Sequence, residues 1–279
     1  MPFDPAALID SIERIAVETV PTLGSLGVAP HLLVLLGAAF LAGAVDAVVG
    51  GGGLIQLPAV LLVPGIAPVT ALATNKLASF AGTGTAAVAY SRRIGSDLRI
   101  AAPTALLAFL AASGGAGLAS RIPKNSFTPL VIGALLVVLV LTIAKPQLFA
   151  SKRSGLPIGA LIARTVPFGG IVGLYDGLLG PGTGSFLLMA FIGAAQMDVL
   201  RATALTKIVN SATNLGALLF FGAHGAIDWP LGLAMAAANM AGGYTGARWA
   251  TRLGARFIRR VLVIVVLALL VKLASQLVA

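Results

Sequence analysis

The stretch GAVDAVVGGGGLIQLPAVLL, Gly43 to Leu62, has the apolar run of a bilayer helix, yet it carries an acid at Asp46 and four consecutive glycines, Gly50 to Gly53. Glycine inside a helix costs about 0.5–1 kcal/mol relative to alanine, and an ionisable group at bilayer depth costs about 2.5–3.5 kcal/mol on the insertion scale. Residues this hostile to a plain span fit a helix that breaks around something polar. Reading outward from the break decides the fold.

The solvent is set by composition. Of 279 residues, 58% are hydrophobic and only 10% charged, and the mean hydropathy is +1.00; these values belong to integral membrane proteins. Apolar segments recur along the whole chain, each near the ~20 residues needed to cross a ~30 Å hydrocarbon core, and leave no stretch for a soluble domain. The net charge of +10 is spread over the connections between segments rather than gathered on one face, a topological pattern that excludes a nucleic-acid surface. Cysteine is absent, so disulfides, thiolate metal sites and redox motifs are excluded. Residues 1–29 are acidic near the start and lack the basic region of a signal peptide; Leu8, Ile9, Ile12, Ile15 and Val17 recur at helical spacing, which predicts an interfacial segment.

The chain is a tandem duplication. GAVDAVVGGGGL lies over GLYDGLLGPGTGSF with Asp46 on Asp176 and Gly50 on Gly180, at an offset of 130; one inserted residue then carries Gly53 onto Gly184. At an offset of 131, ALATNKLASFAGT falls on RATALTKIVNSATN, pairing Lys76 with Lys207 and Asn75 with Thr206. The repeats are assigned to 30–150 and 151–279 of one membrane domain. Each yields five apolar segments, 31–49, 53–64, 67–90, 98–119 and 128–145, then 157–179, 184–196, 199–222, 229–248 and 258–278. The second of each set is too short to cross unaided and opens at a glycine cluster, so the fold expected is all-α and polytopic, with one broken or re-entrant helix per repeat.

Basic residues orient the segments. Arg92, Arg93 and Arg99 follow the third, Lys145, Lys152 and Arg153 the fifth, and Arg248, Arg252, Arg256, Arg259 and Arg260 the ninth, whereas the loop after the eighth, GAHGAIDWP, has no Lys or Arg. Placing the basic connections in the cytoplasm gives ten crossings with both termini periplasmic; Arg121 and Lys124 are the exceptions. The loop after segment three is then inside and its repeat mate outside, so the two halves are inverted, a plan of secondary transporters with the substrate near the midplane.

Lys76 and Lys207 lie eight or nine residues into their segments, deep in the hydrocarbon, where an ionisable group normally faces a cavity or a partner. The short helices open at Gly51, Gly52 and Gly53 in one repeat and at Gly182 and Gly184 in the other, pointing free N–H groups and the positive ends of helix dipoles at the breaks. Two ammoniums and two helix starts define a cavity for a small anion. Asn75, Thr206, Asn210, Asn214, Ser185 and Gln56 are the polar neighbours assigned to the same cavity, although each could equally hydrogen-bond between helices. Asp46 and Asp176, four residues before their glycine clusters, have three open readings: salt-bridge partners of the lysines, proton carriers, or ligands of a coupling cation.

Other signals read as structural. GPGTGS lacks the Gly-Lys-Ser/Thr of a phosphate loop, and His224 has no second His or Cys beside it, so neither a nucleotide, a metal nor any other cofactor is expected. Trp229, Trp249, Tyr90 and Tyr244 fall near segment ends, as an aromatic belt would. Asp97 and Asp228 read as helix N-caps, and Gly114, Gly115, Gly117, Gly242, Gly243 and Gly246 as sites of close helix packing.

At DAVVGGGGLIQLPAVLL (46–62), ALATNKL (71–77), YDGLLGPGTGSF (175–186) and TALTKIVNSATN (203–214), the chain resembles the sulfite exporter TauE/SafE family, also called the four-toluene-sulfonate uptake permease family, most closely its YfcA-like branch. The resemblance covers nearly everything from about residue 31. It implies a multi-pass carrier of the bacterial inner membrane for sulfite, sulfonates or related organosulfur anions. The function expected is therefore a secondary transporter working by alternating access, with a proton or cation as coupling partner and a homo-oligomer left open. An anion channel and an intramembrane binding protein for another carboxylate or oxyanion are the alternatives. An enzyme is not expected, since only the aspartates could supply its chemistry.

Overall fold

The computed structural model describes residues 30–61, 63, 65–123, 126, 129–130, 133 and 155–278, with side chains described between 32 and 253. The predicted interfacial segment 1–29 and nearly all of the segment expected at 128–145 lie outside them, as do Lys124, Lys145, Lys152 and Arg153. Among the described residues every regular element is a helix. They are α1 Pro30–Val49, α2 Gly53–Leu61, α3 Pro68–Ile94, α4 Leu98–Ala119, α5 Ile158–Leu178, α6 Thr183–Gly193, α7 Val199–Ala223 and α8 Trp229–Val278.

Helix starts follow local chemistry. The carboxylate of Asp97 accepts from Arg99 N at 3.1 Å and that of Asp228 from Leu231 N at 3.1 Å, so both act as the N-caps their positions predict. Asp198 caps α7 in the same way, through Arg201 N at 3.1 Å. α2 and α6 have 9 and 11 residues, about 14 and 17 Å at 1.5 Å per residue, half of a bilayer core. α1, α4 and α5 are long and apolar enough to cross a membrane; α3 and α7, long enough but more polar, carry the lysines. The segments expected at 229–248 and 258–278 form one continuous helix of 50 residues. Between them the sequence has no proline and a single glycine, Gly254, among good helix formers, so no local signal stops the helix.

The two halves are interlocked. α1 and α3 of the first pack along α8 of the second, α5 and α7 of the second pack along α4 of the first, and α3 lies against α7 at the centre. The short helices sit inside, α2 on α1 and α3, and α6 on α5 and α7. Small residues make these approaches possible. A side chain at Gly242 or Gly246 would overlap the carbonyls of Phe40 or Ala44 on α1, and one at Gly115 the carbonyl of Leu174 on α5, as in membrane bundles packed through small residues. Gly114, expected to serve likewise, faces open space, and Gly117 meets only the ring of Phe220.

Outward-facing positions such as Val34, Leu41, Leu106, Leu110, Ile171 and Leu233 are exposed and apolar, as lipid contact requires. Trp229, Tyr244 and Trp249 are half exposed. Tyr90 is not. It is fully buried and donates its hydroxyl to the Ala47 carbonyl at 2.9 Å, a strut from α3 to α1 rather than an interface anchor, because a phenol with a partner can be buried at little cost.

Candidate functional site: two broken helices and two crossed ion pairs

Each break is built on a glycine in the left-handed region. Gly50 has φ 80° and Gly180 φ 90°, a conformation that costs other residues about 1–3 kcal/mol. The two breaks meet back to back. A Cβ on Gly50 would fall within the backbone of Gly184, and one on Gly184 within that of Gly50. Ser185 joins them, its N–H donating to Gly50 O at 3.2 Å and its hydroxyl to Val49 O at 2.9 Å.

The lysines reach across this junction. Lys76 Nζ lies 2.8 Å from Asp176 Oδ1, and Lys207 Nζ lies 3.1 Å from Asp46 Oδ2, so each repeat's ammonium pairs with the other repeat's carboxylate. Of the three readings open for the aspartates, ion pairing is present. Both lysines are buried, at 1% exposure. The supporting contacts also correspond. Asp46 Oδ1 accepts from Gly52 N at 3.4 Å, and Asp176 Oδ1 from the Thr183 hydroxyl at 2.6 Å, Thr183 being the repeat mate of Gly52. One difference is that Lys207 Nζ also donates to the main-chain carbonyl of Asp46, where α1 ends.

A cavity of about 20 Å³ lies between the breaks. It has room for one water-sized body and is too small for a polyatomic oxyanion, so an anion enters only if the breaks move apart. Of the predicted site residues, Asp46, Gly53, Asn75, Lys76, Asp176, Gly182, Gly184, Asn210 and Asn214 border it; Gly51, Gly52, Gln56, Ser185, Thr206 and Lys207 do not. Gln56 Oε1 accepts instead from Asn239 Nδ2 of α8, and Ser185 holds the breaks together. Four buried polar atoms have no hydrogen-bond partner among the described residues: Gln56 Nε2, Asn75 Oδ1, Asp176 Oδ2 and Thr206 Oγ1.

Ser79, Thr183, Gly50 and Gly180 also border the cavity and were not predicted. Ser79 lies one turn beyond Lys76 on α3, and helical spacing could have found it. Asn239 had no such signal. A second cavity, of about 800 Å³, lies at the α3–α4 and α6–α7 connections, bordered by Asp97, Gln196, Asp198 and Arg201 at one end and by Ala204, Leu205 and Ile208 of α7 deeper in. It shares no residue with the first, though the latter three flank Lys207 in sequence.

The profile of the family described as Sulfite exporter TauE/SafE matches residues 35–273. The chain belongs to the TauE/SafE family. A probable membrane transporter protein ORF9 of Sinorhizobium sp. is 39% identical over 253 residues, covering 88% of this chain and 94% of that protein. The probable membrane transporter protein YfcA of Escherichia coli K12 is 36% identical over 85% of this chain and 88% of its own length. A probable membrane transporter protein of Haemophilus influenzae is 32% identical over 84% and 90%. No solved structure matches significantly. Membership makes the chain a membrane transporter of the TauE/SafE family and not an enzyme.

Proposed function

We propose that this TauE/SafE protein is a secondary carrier moving a small oxyanion, sulfite or a sulfonate or a related organosulfur anion, across the bacterial inner membrane by alternating access. The observation that carries the reading is the pair of buried ion pairs crossed between the repeats at abutting helix breaks. The family description supports sulfur as the central atom. Asn75, Asn210 and Asn214, with the glycine backbones, supply the neutral contacts.

At rest each ammonium is neutralised by a carboxylate, so an incoming anion must displace one. An unpaired buried charge costs about 3–5 kcal/mol, which the displaced aspartate escapes by taking a proton. A monoanion and a proton then enter together and the site stays neutral. The basic residues after segments three and five, with none in the loop after segment eight, support inverted repeats and periplasmic termini. On that topology the larger cavity, bordered by Arg201, is the aqueous approach from the cytoplasm.

The test is flux in proteoliposomes. Saturable uptake of sulfite, sulfate or sulfoacetate, driven against its gradient by an imposed proton gradient, is expected. Unsaturable flux that only runs downhill would make the protein a channel, and no flux or binding of any of them would end the reading.

A further inference from the structure

We infer that the two ion pairs have different tasks: Lys76–Asp176 is the exchange site, where anion and proton are taken up, and Lys207–Asp46 is a latch that holds the broken α1 against α7. The inference rests on the carrier reading above and deepens it.

Three observations separate the pairs. Only one ammonium fronts the cavity, since Lys76 borders it and Lys207 does not. Only one carboxylate has a free oxygen. Asp176 Oδ1 takes both the ammonium at 2.8 Å and the Thr183 hydroxyl at 2.6 Å, while Oδ2, fully buried, has no partner among the described residues; both oxygens of Asp46 are engaged, by Gly52 N and by Lys207. Finally, Lys207 has two acceptors on one residue, the carboxylate and the carbonyl of Asp46. The same carbonyl accepts from Gly50 N at 2.8 Å, so the ammonium caps the last turn of α1, where cations favour a helix C-terminus. Removing the Asp46 carboxyl charge leaves that main-chain contact in place.

Asp176 has few charged neighbours. Lys76 reaches it from α3; Asp46 of α1 stands across the cavity, neutralised by Lys207 of α7. Tyr175 beside it is committed to Pro181 O at 2.6 Å, α6 offers only the Thr183 hydroxyl, and α4, packed along α5, carries only Arg99 in its first turn. A proton arriving with the anion forms an O–H bond at the free Oδ2. Lys76 then turns to the anion, and release of both on the far side restores the pair.

Asp176→Asn and Asp46→Asn in the reconstituted full-length protein test this. Uptake of sulfite, sulfate and sulfoacetate is measured against pH, with thermal unfolding of each variant in detergent. Asp176→Asn is expected to flatten the pH profile while binding persists at neutral pH. Asp46→Asn is expected to lower uptake by one common factor at every pH, with the shape of the profile kept and the unfolding temperature reduced. The same flattening in both variants, or flattening in Asp46→Asn alone, would overturn the division of tasks while leaving the carrier standing. A wild type inert towards all three anions overturns the carrier reading itself.

Discussion

The two halves carry the same motifs in the same order, and at their centres they differ. Lys76 and Lys207 hold equivalent positions on α3 and α7, equally buried, each facing the other half's aspartate. Yet Lys76 touches a cavity and a carboxylate with an unused oxygen, whereas Lys207 ties off the end of a helix. The chain carries two copies of a costly charge, and the junction of the breaks leaves room in front of only one. An equivalent pair of residues is thus not an equivalent pair of sites.

The comparison breaks most sharply at the lysines. Lys76→Met is expected to weaken oxyanion binding by more than about 100-fold, read by calorimetry on the purified protein, since the site loses the ammonium it presents to the anion. Lys207→Met is expected to cost about 3–5 kcal/mol of stability, because Asp46 is left buried and unpaired; adding Asp46→Asn should restore most of it. Unchanged unfolding in Lys207→Met would remove the latch.

The glycines give the next contrast. Gly50→Ala forces a side chain into φ 80° and into the backbone of Gly184, so a loss of at least about 1–3 kcal/mol and of transport is expected. Gly114→Ala, which meets nothing, should stay within about 0.5 kcal/mol; a large effect there would mean that another surface covers this face.

The last contrast is Tyr90→Phe. Its repeat mate is Phe221, also fully buried, so the change makes the first half chemically like the second and removes the hydrogen bond to Ala47. A loss of about 1 kcal/mol is expected in thermal unfolding, with anion affinity unaltered.

The elements were legible because their signals are local. Helices α1 to α7 begin and end within a few residues of the apolar segments, and the caps at Asp97 and Asp228 follow from residue type and position. The lysines, aspartates and glycine clusters stood out because polarity at membrane depth is rare and here occurs twice. Where two signals conflicted, at 249–257, helix propensity outran the charge pattern and α8 continued. Gln56 and Asn239, joined across α2 and α8, were beyond such reading, since the repeat mate of Gln56 is Leu187 and no spacing links the two.

By itself the sequence determined the solvent, the duplicated unit, and the burial of two ammoniums beside two interrupted helices, because hydropathy, helical period and glycine conformation act over a few neighbouring residues. Which carboxylate each ammonium meets, and which pair keeps an open face, was decided only when the halves interlocked. Two copies of one motif carry no local mark of their partner, and only the packing of one break against the other assigns it.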